Sequence, residues 1–564
     1  MDGLLVCLTF TLDRSSQKYR NEMPTSIAQF TPIEVVNNND ILFSNPTSAS
    51  DTAHSLTSAS PDDKTSPAQK SVAVIGAGVS GVLAAAHLLR RNQRVTVFER
   101  SSSAGGIWRY IEDQPEDPEY PDTLAAESPA EVFPDRPASR TTTLQGEKGL
   151  TRKTFAPPGP CYAGLRSNIP TYLMRSSLSA WPESAGRDVV PHHLVNDYIQ
   201  GLAQDFGVNA VTEFNTRVEE VIKPEGQGQW KVRTLRIDNK NAKDAEPTFF
   251  EEEHFFDAVV IASGHYDIPF IPKIPGLSTL KKQFPERVTH SKQYRHPETF
   301  AGQNVVVVGG RVSAVDICRE LAGISAKTYQ SVRESTEAFN FNILGDQTER
   351  ISEIDHIVPQ NQVSADETVL EQNNALPVQL HLKDGRVLDG IHAIIFATGY
   401  QLTYPYLRSF EVAPDQVTRT SLVESTKSTV HNLYKDTFYI PDPTLTFVGT
   451  PFDIVTFACF DYQAQAIAQV LSGAAALPNH DIMRAEYETR LTAKTASRQF
   501  HSLRGSEIEY VQGLVDWLNS EADRLGVKGQ HIEGYSKEWI EGYWILQKRV
   551  SAALGLQDPT QLET

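Results

Sequence analysis

Residues 71–100 read SVAVIGAGVSGVLAAAHLLRRNQRVTVFER: an apolar run, a cluster of glycines, a long apolar stretch, and a final run that closes on an acid. That order predicts strand, tight turn, helix, strand. Gly76, Gly78 and Gly81 fall on G-x-G-x-x-G spacing. The first permits the turn, the second lets a pyrophosphate approach the backbone, and the third lets helix pack on strand. Glu99 ends the second strand, where a carboxylate can accept hydrogen bonds from a ribose. Glycines at this spacing also suit a merely structural turn. With strand, helix and terminal acid all in place, dinucleotide binding is the reading.

Working outward, VVVVGGRVSAVDI at residues 305–317 nearly repeats the pattern. Gly309 matches Gly76 and Val312-Ser313 matches Val79-Ser80, but Arg311 holds the second glycine's place and Ala314 the third's. Alone, the stretch is either a buried parallel strand or a modified second site. A helix, ICRELAGI, and a strand, KTYQSVR, follow and carry Ser331 and Arg333 to the strand end. Between the two patterns lie an amphipathic helix from Val190, short strands near 215–222 and 230–237, and the apolar strand FDAVVIASG. Beyond them come a hairpin turning at Asp384-Gly385, a buried strand ending at Thr398-Gly399, the strand LTFVG and the helix DYQAQAIAQVL. The expected fold class is α/β, with two Rossmann-like dinucleotide-binding domains, the second inserted in the first, and a helical C-terminal segment. The expected boundaries are a Ser/Thr/Asp/Pro-rich disordered tail at 1–69 and a first domain at 70–268, with a loop insertion at 111–160. An inserted domain follows at 269–394, then the return at 395–475 and the helical segment at 476–564.

Bulk properties exclude several classes. The chain has 564 residues and a net charge of −18, which opposes a nucleic-acid partner. Its four cysteines form no C-x-x-C pair, against a dithiol reductase or a common zinc site. No apolar run reaches membrane-spanning length, so a soluble, cytoplasmic protein is expected. His192 and His193 are adjacent and cannot share one helix face as metal ligands. PEDPEYPD, residues 115–122, reads as a solvated acidic loop. No G-x-S-x-G or H-E-x-x-H pattern occurs.

Further short stretches carry a family resemblance: Gly105-Gly106-Ile107-Trp108; YAGLRSN at 162–168, followed by Ile-Pro-Thr; VIASGHY at 260–266; FATGY at 396–400; and FPERVTHSKQYR at 284–295. In this order, from Val72 to Leu471, they resemble the flavin-containing monooxygenases of the class B flavoprotein monooxygenases. Glu286 departs from the family's glycine in the last stretch and puts its backbone turn in question. The resemblance implies FAD at the first fingerprint, bound by Gly76, Gly78, Ser80, Gly81, Glu99, Gly106, Trp108, Thr398 and Gly399. It implies NADPH at the second, bound by Gly309, Arg311, Ser313, Ser331 and Arg333, with Arg311 offering a cation to the phosphates and no acid at the strand end to repel a 2′-phosphate. It places Asn168 beside the flavin as the catalytic residue. The implied reaction inserts one oxygen atom from O2 into a small molecule through a flavin C4a-hydroperoxide, at nitrogen or sulfur, in a soluble biosynthetic enzyme. Two alternatives stay open. A Baeyer–Villiger monooxygenase acting on a ketone would carry Trp where this chain has Tyr294. A non-oxygenating electron-transfer or binding flavoprotein would not need Asn168.

Overall fold

The structure, a computed structural model, describes residues 69–118, 120, 141–145, 151–238, 247–333, 344, 347–360, 375–426, 429–494, 499–527 and 529–554. All but the last residue of the tail expected at 1–69 lies outside them.

Ser71–Ile75 is an interior strand of a seven-stranded sheet. Arg94–Glu99 runs parallel on one side, Ser71 opposite Arg94, and Ala258–Ile261 runs parallel on the other, Val72 opposite Ala258. Thr212–Phe214 closes one edge; Leu445–Phe447, Phe438–Tyr439 and Leu433–Tyr434 complete the other. Strands buried on both faces must be apolar throughout, which is why they read as continuous runs. The helix Val79–Arg90 is buried from Ser80 to Leu88 because Thr456–Leu471 covers its outer side; His87 Nε2 meets Asp461 Oδ1 at 2.9 Å between them. A helix with apolar residues all round needs such a second partner.

A second, all-parallel sheet has five strands in the order Thr348–Ile351, Lys327–Ser331, Asn304–Val308, Ala393–Phe396, Val288–His290. Ala393–Phe396 belongs wholly to this sheet, so the boundary expected between 394 and 395 cuts through a strand; the chain crosses back at 397–401. The two glycine fingerprints thus sit at the carboxyl ends of interior parallel strands, one in the mixed first sheet and one in the all-parallel second, where α/β proteins bind their ligands. The hairpin at Asp384-Gly385 is present, joining Val378–Leu382 to Val387–Leu388.

Two expectations are corrected. Within 111–160, expected as loop, Thr141–Gln145 is the edge strand of a four-stranded antiparallel sheet, paired with Thr248–Phe256. Arg152–Phe155 forms one helical turn, capped by Thr151. The acidic loop is not simply solvated either: Asp117, its side chain 7% exposed, pairs with Lys281 at 2.6 Å, and Tyr120 is buried. The C-terminal segment forms the helices His480–Lys494, Glu507–Leu525 and Lys537–Leu554. Among the described residues, no helix is long and apolar enough to cross a membrane.

Candidate functional site

The first fingerprint is a closed turn. Gly76 N donates to Phe98 O at 2.8 Å, fixing the turn over the end of the neighbouring strand. A methyl on Gly81 would lie 1.8 Å from Gly76 O, so helix and strand touch backbone to backbone. Gly105 N donates to Ala77 O at 2.9 Å, and a Cβ on Gly106 would come within 2.9 Å of Gly78 Cα. The Gly-Gly-Ile-Trp element therefore lies directly on the fingerprint, with Trp108 half-buried beside it. Glu99, 7% exposed, accepts from Ala77 N at Oε2 and Ser101 N at Oε1, both at 2.7 Å. Its carboxylate holds the turn in shape, and each oxygen keeps one lone pair for a ribose hydroxyl. Ser80 is buried against Gly449, just past the first-sheet strand Leu445–Phe447. Gly78 begins the helix with no side-chain cap, leaving first-turn N–H groups for an anion. These residues fit a dinucleotide pyrophosphate.

The second fingerprint repeats the frame with a different filling. Gly309 N donates to Ser331 O at 2.9 Å, as Gly76 does to Phe98. The Ala314 methyl is fully buried beside Gly309, in space the first fingerprint lacks. Arg311 starts the helix Val312–Leu321 in an extended conformation, exposed and without a side-chain cap; Ser313 is exposed in the first turn. This too fits a phosphate-bearing ligand, with a guanidinium in place of the closest backbone approach. Two expected residues differ. Ser331 is buried and its hydroxyl donates to Ser352 O at 3.0 Å, so it faces the protein. Arg333 is exposed, but Glu353 lies 3.7 Å from its Nε: an acid does stand near this strand end, supplied by the next turn.

Thr398 and Gly399, expected at the flavin, sit where the chain crosses between the sheets. The Thr398 hydroxyl donates to Phe270 O, Phe270 N donates to Gly399 O at 2.8 Å, and Gln401 N donates to Ile268 O at 2.9 Å. The FPERVTHSKQYR stretch locks this crossing. Burial pushes His290 down to about 3, so its ring is neutral. Nδ1 accepts from Lys292 N and Nε2–H donates to Gly399 O, each at 3.1 Å. Lys292 Nζ meets Asp267 Oδ1 at 2.8 Å, and Arg100, next to Glu99, reaches Asp267 Oδ2 at 2.8 Å. The buried Arg295 guanidinium donates to five carbonyls: Ile111, Lys292, Tyr294, Asp113 and Gly159. Glu286, exposed in its turn, is not left-handed, so the family's glycine is not required there.

Asn168 is half-buried in a loop pinned on both sides. Ser167, fully buried, donates from N to Val190 O at 2.7 Å and from Oγ to Ile169 O at 3.0 Å, and accepts from Val190 N at 2.9 Å. The loop's other end, Ala163 N, bonds Arg295 O at 3.1 Å. Sequence reasoning missed Asp267, Lys292 and Arg100 as a joint, because residues so far apart in the chain show their pairing only once the sheets are placed.

Comparisons with known proteins match this geometry. Residues 74–141 match the NAD(P)-binding Rossmann-like domain, 248–435 the pyridine nucleotide-disulphide oxidoreductases, and 362–528 a family described as flavin-binding monooxygenase-like. The chain is 38% identical over 511 residues to the flavin-containing monooxygenase ustF2 of Aspergillus flavus, covering 86% of this chain and 99% of that one. This chain belongs to the flavin-containing monooxygenases. Another member, iboF of Amanita muscaria, is 29% identical, over 82% of this chain and 90% of its own. Among solved structures, S-allyl-L-cysteine S-oxygenase from Allium sativum superimposes with a TM-score of 0.62 at 26% identity, covering 86% of this chain and 94% of that one. The protein is an NADPH-dependent flavoprotein monooxygenase that uses FAD and NADPH and acts on a small molecule and O2.

Proposed function

We propose that this flavin-containing monooxygenase oxygenates a soft nucleophile, an amine nitrogen or a sulfur, in a small-molecule biosynthetic step. When bound, FAD and NADPH would supply the electrons with which dioxygen is activated, one oxygen atom going to substrate and the other to water. Gly76, Gly78, Ser80, Gly81, Glu99, Gly106 and Trp108 hold FAD; Gly309, Arg311 and Ser313 hold the NADPH pyrophosphate, and Arg333 meets its 2′-phosphate. Thr398, Gly399 and Ser331 serve the framework. Asn168 would be the polar side chain that hydrogen-bonds activated oxygen at the flavin site and limits its loss as hydrogen peroxide.

The observation that carries this reading is the placement of Asn168: a half-buried amide on a loop held rigidly by Ser167, Val190 and Arg295. The likeness to an S-oxygenase supports a sulfur or nitrogen nucleophile over a ketone. The test is incubation of the purified protein with NADPH and a panel of amines, thiols, sulfides and ketones, followed by mass spectrometry for gain of one oxygen. Products from amines or sulfur compounds are expected; ketone-only turnover would refute the reading. Asn168→Leu should keep FAD and its reduction by NADPH, while most NADPH consumed appears as hydrogen peroxide rather than product.

A further inference from the structure

The helix that opens at the second fingerprint, Val312–Leu321, carries Asp316 and Glu320 one turn apart on one face. Each carboxylate takes a tyrosine hydroxyl from another part of the chain. Tyr162 OH donates to Asp316 Oδ2, and Tyr294 OH donates to Glu320 Oε2 at 2.7 Å. Both tyrosines are buried, with ring centroids 5.4 Å apart in a T-shaped pair. Gly164 lies flush on the second carboxylate: a methyl there would be 1.8 Å from Glu320 Oε1. Tyr162 and Gly164 begin the loop that continues to Asn168. The dinucleotide helix therefore meets the Asn168 loop through the Tyr162–Asp316 bond and Gly164, while the Tyr294–Glu320 bond ties the same helix to the 284–295 stretch, whose Tyr294 packs on Tyr162.

We propose that Glu320, with Asp316, Tyr162, Tyr294 and Gly164, is a positioning residue that clamps the Asn168 loop to the helix of the second fingerprint, so that a dinucleotide seated at that helix fixes where the Asn168 amide stands. The proposal rests on the assignment of NADPH and Asn168 above. It gives Tyr294 a role that its place in the sequence stretch 284–295 did not reveal: its hydroxyl completes the clamp. It also explains why residue 164 has no side chain.

The clamp is sensitive to pH. Burial pushes the Glu320 carboxyl up to about 7; Asp316 and Glu298 add to this, while Tyr294 and His296 oppose it. Burial likewise raises Asp316, against Tyr162 and Arg319. A carboxyl raised above its ordinary range favours the assembled clamp when protonated, so the clamp is firmest in acid and loosens as pH rises through about 7.

The test uses the full-length holoenzyme with NADP+ as the probe. Hydrogen exchange at amides 165–168 should slow when NADP+ is added to wild type, and this protection should be lost in Glu320→Ala. Substrate-free NADPH oxidation yielding hydrogen peroxide should rise in that variant by roughly tenfold, the scale of one buried hydrogen bond left unmade. Gly164→Ala should behave alike, because its methyl drives the carboxylate off the loop. The double variant Gly164→Ala/Glu320→Ala should be no worse than Glu320→Ala alone, since both changes act on the one contact between residue 164 and the Glu320 carboxylate. Glu320→Gln keeps shape and acceptor and should retain the protection, but lose the rise in peroxide release between pH 6 and 8. Unchanged protection and peroxide release in Glu320→Ala, with a wild type that works, would overturn the clamp alone. A wild type that neither binds NADP+ nor is reduced by NADPH would overturn the functional assignment, and the clamp with it.

Discussion

The third position of each fingerprint is where one methyl decides between two otherwise parallel turns. At Gly81 a Cβ would collide with Gly76 O, while Ala314 already carries its methyl, fully buried, beside Gly309. Gly81→Ala should therefore cost about 3 kcal/mol or more and yield protein that loses its yellow colour on desalting. Ala314→Gly should cost about 1 kcal/mol, mostly helix propensity, and leave NADPH binding in place. Denaturant unfolding with flavin absorbance checks both. At the far end of the second site, Arg333 and Glu353 stand 3.7 Å apart, so on the proposed assignment the acid would compete with a 2′-phosphate for the guanidinium. Arg333→Ala should raise the NADPH Michaelis constant by roughly tenfold and leave that for NADH nearly unchanged. Glu353→Gln should lower the NADPH value, and an equal effect on both nucleotides would show that Arg333 does not read the phosphate. The glycine spacing and Glu99 were legible in the sequence because their chemistry is local to one turn. Glu353 was not, because it reaches Arg333 from the turn after a separate strand, Thr348–Ile351.

At the scale of elements, the parallel strands and their helices were legible, since burial on both faces leaves short, continuous apolar runs. Thr141–Gln145 was not: TTTLQ, on a sheet edge, shows no such run, and only its partner Thr248–Phe256 makes it a strand. In the C-terminal segment, Glu507, at the start of Glu507–Leu525, is 1% exposed. Its carboxyl accepts from Val455 N at 3.0 Å and from Tyr535 OH at 2.8 Å, tying this helix to the start of Thr456–Leu471. Burial pushes it up to about 7, with those two bonds opposing. Its folded value lies above its unfolded one. The stability it lends is therefore complete below the ordinary carboxylate range and lost as pH rises through about 7. Glu507→Gln retains an acceptor for Val455 N and cannot ionise. In urea titrations its stability relative to wild type should climb from pH 5 to pH 8, and a constant difference would mean that Glu507 is not the titrating group.

For the whole molecule, the question is what fixes one dinucleotide unit against the other, since hydride must pass between two ligands held by different sheets. Segments 266–270 and 397–401 cross side by side, and Asp267 sits where they meet. Lys292 comes from the second sheet's edge and is buried; Arg100 comes from the end of the strand bearing Glu99. Burial alone would raise the Asp267 carboxyl, but Arg100 and Lys292 outweigh it and hold it far below the ordinary carboxylate range. Its stabilisation is thus present above the unfolded carboxylate value and lost as pH falls toward the folded one. Asp267→Asn keeps the shape and removes the charge, leaving the Lys292 ammonium buried with the carbonyl of residue 267 as its remaining partner there. Removing one member of a buried pair costs about 3 kcal/mol. Arg100→Gln should cost less than about 1 kcal/mol, because the partly exposed Arg100 leaves the Asp267–Lys292 pair intact. Urea unfolding at pH 7 should separate the two variants, and the Asp267→Asn deficit should shrink at pH 3, where the wild-type advantage is already being lost. A deficit that persists undiminished in acid would show that the asparagine disturbs packing at the crossing, and that charge is not what joins the two halves.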